Sequence, residues 1–413
     1  MACSAQAQKP NDAVRKVEER KYTVMCMCMT RREFLQAASV VAGGFVLSGA
    51  LPKAAAGAQS QVPVPKVLDG TQAILASLIT RHARLLDDPW VLMHGVRAMG
   101  PGFTVGSERA IDLLCSRFLK KQQVAGKEYL YMPVEQEGHP NALLKTLLEA
   151  GVSPSHPFTL DGRRYTVGDL VNSAKALFVF DPKTTDRDNL AWTLIAFSLQ
   201  IPPAQDTWTN AYGQQIRLTD VVRFGLDTVD ETTRQFRQAK ARGVMPTEKD
   251  AIMELTCGGT HLAYSLASCV ANGHGGEEAR ARLRDYLDLH IWRLQADGYL
   301  MDRFYRQAAP PKDADPAMQK LAALYYHDAR LKFYGHSFEI LSYAKRHRLL
   351  APAPAEAHTI EQGARTLHEA VKAIEGTDFF EFRKTNPRLF HHLVGDSCHA
   401  YHGIRMTPGV NEV

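Results

Sequence analysis

The sequence predicts an all-α protein of about twelve helices paired as antiparallel hairpins, with one small β-hairpin near residues 158–167. Three observations predict it. Beyond Thr71, apolar residues recur every three or four positions, the period of a helix that buries one face. The periodic stretches are separated by Gly-, Pro- or Asp-rich turns such as Asp297-Gly298 and Ala309-Pro310-Pro311. Alternating, strand-like text is scarce.

The N-terminus comes first. Thr30-Arg31-Arg32-Glu33-Phe34-Leu35-Gln36 precedes an apolar, Gly/Ala-rich stretch from Ala37 to Leu51, followed by Lys53 and Ala54-Ala55-Ala56-Gly57-Ala58. Charged start, apolar middle and small-residue end form a secretory layout, with cleavage expected after Ala58. The stretch closely resembles a bacterial twin-arginine (Tat) export signal. That resemblance implies the Tat machinery and a signal peptidase as partners, and a periplasmic or extracellular destination reached by an already folded chain. Met29 reads as a natural start. The apolar run is short for a bilayer span, and no later segment is long and apolar enough, so no stable span is expected after cleavage.

Residues 59–69 read as an extended leader and 70–413 as a single helical domain. Helical periodicity covers 71–87, 89–98, 108–120, 141–150, 187–200, 251–271, 277–296, 299–308, 317–347 and 387–405. Three further stripes are Leu170, Val171, Ala174, Leu177 and Phe178 behind a Thr166/Asp169 cap; Leu218, Val221, Val222, Gly225 and Val229; and Ile360, Ala364, Leu367, Val371 and Ile374 behind Thr359 and Gln362. Asp161-Gly162 is the turn of a tight hairpin within Phe158–Val167. Lys127–Gln136 is a second extended piece.

The chain of 413 residues is 45% apolar and 23% charged, which excludes collagenous, disordered and disulfide-dense classes. Its net charge is +5, but residues 1–58 hold eight basic against four acidic side chains, so the body is nearly neutral. A neutral body offers no footprint for nucleic acid. Cys115, Cys257, Cys269 and Cys398 follow the signal; three complete disulfide pairings are open to them.

Four segments share a faint pattern: Trp90–Val96, Leu190–Ile195, Gly259–Leu266 and Gly335–Leu341, each an apolar helix with an inward-looking His or Trp. Their wide spacing and the helix count resemble the α/α-toroid of terpenoid cyclases, protein prenyltransferase subunits and several polysaccharide lyases. The aspartate-rich and Gln-Trp signatures of the cyclases are absent. In toroid lyases His and Tyr abstract a proton next to a uronate carboxylate, which Arg or Asn neutralises. The resemblance puts Tyr264, His261 and His336 in those roles.

The residues themselves offer three constellations. In Glu254-Leu-Thr-Cys257-Gly-Gly-Thr-His261, a continuous helix places Glu254, Cys257 and His261 on one face, a zinc-binding set; a new helix starting at Thr260 instead puts His261 at a helix mouth. His336 and Glu339 are i, i+3 neighbours, suited to proton abstraction. Asp396, Cys398, His399 and His402 cluster on one helix and are metal-ligand types. His94 follows Trp90 on an apolar helix. Arg97, Tyr299, Asp302, Arg303 and Tyr305 read as a polar groove. No haem, iron–sulfur, nucleotide or nucleophile-elbow motif is present. The functional expectation is an exported enzyme acting on a polysaccharide or other cell-envelope substrate, with His94, His261, His336, Glu339 and His399 lining its cavity and Tyr264 a further catalytic candidate. Against it stand a periplasmic binding or scaffold protein, and a metal-binding protein built on the Cys257/His261 and Cys398/His399 pairs, with zinc as the candidate ion.

Overall fold

A computed structural model describes residues 64–311 and 313–407. The signal region, Met29 and the cleavage site lie outside the described residues. In chain order the helices are α1 (Val64–His82), α2 (Pro89–Met99), α3 (Ala110–Arg117), α4 (Val134–Glu137), α5 (Ala142–Glu149), α6 (Val167–Leu177), α7 (Leu190–Gln200), α8 (Leu218–Thr232), α9 (Arg234–Ala241), α10 (Thr260–Ala271), α11 (Gly276–Ala308), α12 (Pro316–Arg346), α13 (Pro354–Ile374), α14 (Phe382–Thr385) and α15 (Pro387–Arg405). Four antiparallel hairpins interrupt them: β1 (Thr104–Val105) with β2 (Glu108–Arg109), β3 (Lys120–Val124) with β4 (Lys127–Tyr131), β5 (Pro157–Leu160) with β6 (Arg163–Thr166), and β7 (Thr207–Thr209) with β8 (Gln215–Arg217).

Helices α2, α5, α7, α10, α12 and α15 each pack on the next, and α15 packs back on α2, closing a ring. Further helices lie outside them: α3 on α2, α6 on α5, α8 on α7 and α10, α11 on α10 and α12, α13 on α12, and α1 on α13 and α15. The chain thus alternates between an inner and an outer layer of helices. Burial explains the alternation. In α7 every residue from Leu190 to Ser198 is buried, as befits a helix enclosed on all sides. Outer α8 buries only Leu218, Val221, Val222, Gly225, Leu226, Thr228, Val229 and Thr232, one stripe. Three hairpins follow inner helices α2, α5 and α7 directly, so they cap one face of the ring. The opposite face is left to the loops that enter the inner helices.

Several local expectations hold. Thr166 and Asp169 form a reciprocal capping box on α6, and Phe158 pairs with Tyr165 across the Asp161-Gly162 turn. Others are corrected. The leader is extended only on paper from Val64 onward, because Val67, Leu68, Thr71, Gln72 and Leu75 form a buried helical face of α1. The 251–271 stretch is not one helix: two short 3-10 turns cover Ala251–Glu254 and Thr256–Gly259 before α10 starts. Asp297-Gly298 is no turn but the middle of α11, where Asp297 is fully buried against Arg293 (2.7 Å). A Cβ on Gly298 would lie 2.5 Å from the Tyr334 hydroxyl, so this glycine serves helix contact, not chain reversal. Helix α13 starts at Pro354, where Glu356 accepts the Ala353 N–H; Thr359 lies in its second turn. The four cysteines are unpaired and buried. No described helix is long and apolar enough to cross a membrane.

Candidate active site

The ring axis is polar because four of the six inner helices carry polar residues at helical spacing. Trp90, His94 and Arg97 form it on α2, Lys145 and Glu149 on α5, Asp328, Lys332, His336 and Glu339 on α12, and His392, Asp396, His399 and His402 on α15. Helices α12 and α15 must approach closely for these stripes to meet. Gly335 and Gly403 allow it: a Cβ on Gly335 would stand 2.9 Å from the Ala400 Cβ, and one on Gly403 2.6 Å from the Glu339 nitrogen.

Glu339 is the organising group. Its Oε1 accepts from Arg97 Nε (2.9 Å) and His402 Nδ1 (2.9 Å), and its Oε2 from His399 Nδ1 (2.8 Å), with His336 Nδ1 at 3.4 Å. Arg97 also pairs with Glu149, which in turn accepts from Lys145 Nζ (3.0 Å). Burial works against ionising Glu339, but Arg97, His399 and His336 hold it well below the usual carboxylate range. Burial together with the nearby Arg97 charge brings Lys145 down to about 8.

Above this network three imidazoles converge from three consecutive inner helices, α10, α12 and α15. The ring centroids of His336 and His399 are 4.0 Å apart, of His261 and His336 4.6 Å, and of His261 and His399 5.1 Å. His94 stands 5.2 Å from His399, and its Nδ1 donates to the Trp90 carbonyl (2.7 Å). Cys257 joins them from the turn before α10. That turn holds three successive residues at positive φ, Cys257 (51°), Gly258 (67°) and Gly259 (74°). A side chain on Gly259 would strike Ile252 at 2.4 Å. A non-glycine residue in this conformation is strained, and strain of this kind gathers at functional sites.

The environments of the imidazoles differ. Burial holds His261 and His399 well below the ordinary histidine range, and brings His94 down to about 3. Burial acts the same way on His336, yet Cys257, Asp396 (Oδ1 3.3 Å from Nε2) and Glu339 together overcome it and hold this ring well above the ordinary value.

These groups floor a cavity of about 50 Å³, with Trp90 and Trp192 in its walls and His139 stacked on Trp192 (3.6 Å). Glu137, His139, Thr256 and Cys257 reach it from the short segments that lead into inner helices α5 and α10, so it opens on the face opposite the capping hairpins. Two larger cavities share its walls. One, of about 260 Å³, has Lys332 and His392 in common with it; the other, of about 880 Å³, has Glu137, His139 and Thr256. The three are neighbouring cavities separated by these shared wall residues.

Among the expected residues, His94, Cys257, His261, His336, Asp396 and His399 face this cavity, and Glu339 lies directly beneath. Tyr264 does not line it. This tyrosine is buried under the floor, with Arg97 5.4 Å above its ring and Tyr343 at its edge (5.0 Å). His402 serves Glu339 rather than the cavity. Glu254 is exposed, since the left-handed turn at Cys257 separates it from the face it would share on a continuous helix. Cys398 is buried outside the lining, and burial pushes its thiol up. Of the expected polar groove, Tyr299 is exposed and Asp302 pairs with Arg330, while Arg97 joins the floor. Lys145 and Glu149 were not anticipated; their signal is a Lys and a Glu four apart within the apolar run of α5.

Cys257, His261 and His336 each offer one ligand atom within 4.8 Å of the others, and the same holds for His336, Glu339 and His399 and for Asp328, His392 and Asp396. No protein family matches the chain, and neither a curated protein nor a solved structure does.

Proposed function

We propose that the protein is an exported enzyme that cleaves an acidic glycan, or a comparable cell-envelope polymer, at the central cavity of the ring. One observation carries this reading: His336 and His399 lie 4.0 Å apart in surroundings that push their proton affinities in opposite directions. Paired groups of that kind mark an acid and a base. His399 is the base. Its Nδ1–H is committed to Glu339, which leaves the Nε2 lone pair facing the cavity. His336 is the acid, kept protonated by Asp396 and Glu339. Lys145 and Lys332 in the cavity wall provide positive charge for a substrate carboxylate.

The elimination balances without a co-reactant. His399 takes the proton from the carbon next to the carboxylate, a carbon–carbon double bond forms, and the glycosidic carbon–oxygen bond breaks. The departing oxygen takes a proton from His336. Trp90 and Trp192 line the cavity with their rings packed on His94 and His139, and the flanking cavities provide volume for further units of a chain. Export rests on the Arg31-Arg32 signal.

A second reading has its own observation. The mutual 4.8 Å spacing of Cys257, His261 and His336 suits a zinc ion with an open position, which would activate water for hydrolysis. The test uses a panel of acidic glycans, read by the ultraviolet absorbance of new double bonds and by new reducing ends. His399→Ala and His336→Gln are each expected to lower the rate by about 10²–10⁴ without loss of fold. Reducing ends without double bonds, together with one bound zinc lost in Cys257→Ala, would favour the hydrolytic reading. Full activity in both histidine variants overturns the acid–base assignment.

A further inference from the structure

We infer that Asp328, His392 and Asp396 form a divalent-cation site in the wall between the central cavity and the 260 Å³ cavity beside it. The site is separate from the Cys257 cluster and does not depend on the glycan reading. Asp328 and His392 line the side cavity, and Asp396 and His392 the central one. One ligand atom from each of the three residues lies within 4.8 Å of the other two.

An independent observation points to an occupant. Asp328 Oδ1, Asp396 Oδ2 and His392 Nε2 are all buried atoms with no hydrogen-bond partner. Asp328 and Asp396 are only 4% and 5% exposed. His392 Nδ1 faces Asp328 Oδ2 at 3.4 Å, which places its proton on that nitrogen and leaves Nε2 with a lone pair. The three orphaned atoms are therefore all acceptors. A water molecule has two hydrogens to give and cannot satisfy all three. A cation can. Lys332 Nζ stands 3.6 Å from Asp396 Oδ2, too far to hydrogen-bond it, though near enough to temper the carboxylate charge.

The ligand set sets the ion's class. Two carboxylate oxygens and one imidazole nitrogen, with no sulfur, suit Mn²⁺ or a similar first-row dication rather than a thiophilic metal. Three protein ligands leave coordination positions open. The side cavity beyond, with Phe304, Tyr305 and Tyr325 in its walls and Arg388 at its edge, fits an anionic ligand bearing a flat or apolar body.

The test titrates Mn²⁺ alone into the chelator-stripped full protein, reading the loss of the free-ion electron paramagnetic resonance signal. We expect saturable binding at this site, weakened at least about tenfold in Asp328→Asn. His392→Gln is the second variant, because its side chain is partly exposed and tolerates exchange more readily. Cys257→Ala is expected to leave Mn²⁺ binding within about twofold, since manganese avoids thiolate. Circular dichroism confirms that each variant is folded. A wild-type protein that takes up no Mn²⁺, or folded Asp328→Asn and His392→Gln variants that bind it as wild type does, overturns the assignment.

Discussion

Glu339 shows how a single carboxylate can fix a site. Arg97, His399 and His402 all donate to it, and His336 stands within ion-pair distance, so four side chains take their orientation from two oxygens. Its neighbours are as buried as it is, so removing its charge strands Arg97 in the interior beside a single remaining partner, Glu149. Glu339→Gln is expected to cost about 3–5 kcal/mol in urea-induced unfolding, the range for breaking a buried ion pair from one side. A loss under about 1 kcal/mol would show that water reaches the network. The local half of this arrangement is legible in the sequence, where His336 and Glu339 stand three apart on a helix. The other half is not. Spacing along a chain says nothing of Arg97, 242 positions away, or of His399, 60 away. Lys145 and Glu149 illustrate the converse: a charged pair in an apolar helix is visible at once, but its purpose appears only when Arg97 arrives beside it.

At the scale of elements, the contact of α12 with α15 decides whether the site forms. Gly403→Ala is expected to push the helices apart and destabilise the protein by about 1–3 kcal/mol, the usual cost of overfilling a packed interior. The same variant should weaken the acid–base pair out of proportion to its stability loss, because Glu339 is the residue a Cβ would strike; rates measured at full folding separate the two effects. Long helices with an apolar stripe, such as α8 and α12, are readable because burial repeats with the helical period. Hairpins of two or three residues, β1–β2 and β7–β8, leave too short a pattern to register. The break before α10 is half visible: Gly258-Gly259 announces a possible interruption, and the left-handed conformation of Cys257 does not show in its identity. Asp297-Gly298 misleads for the opposite reason, since two turn-forming residues here serve an internal ion pair and a tyrosine hydroxyl.

For the whole molecule, the polar ring axis sets the response to acid. Burial lowers His94 to about 3 and His139 to about 4, against 6.5 for each in the unfolded chain. Between those values the unfolded chain binds protons that the folded one refuses, so stability falls as pH drops from 6.5 toward 4. The melting temperature is expected to fall by several degrees over that interval. His94→Asn keeps a donor for the Trp90 carbonyl and should flatten the slope; an unchanged slope would locate the acid sensitivity elsewhere. The double-layered ring itself is foreshadowed by the helix count and by the recurring His- and Trp-bearing segments, but its closure is a property of contacts between distant helices. Those contacts are α15 with α1 and α2, and α13 with α1, which join parts of the chain some 300 residues apart. Closing so long a loop is slow in folding. It also makes α15 a keystone. A cut within α15 would take His392, Asp396, His399 and His402 out of the ring axis together. Glu339 would then keep Arg97 but lose both imidazoles that donate to it, although the other five helices of the inner wall stay intact.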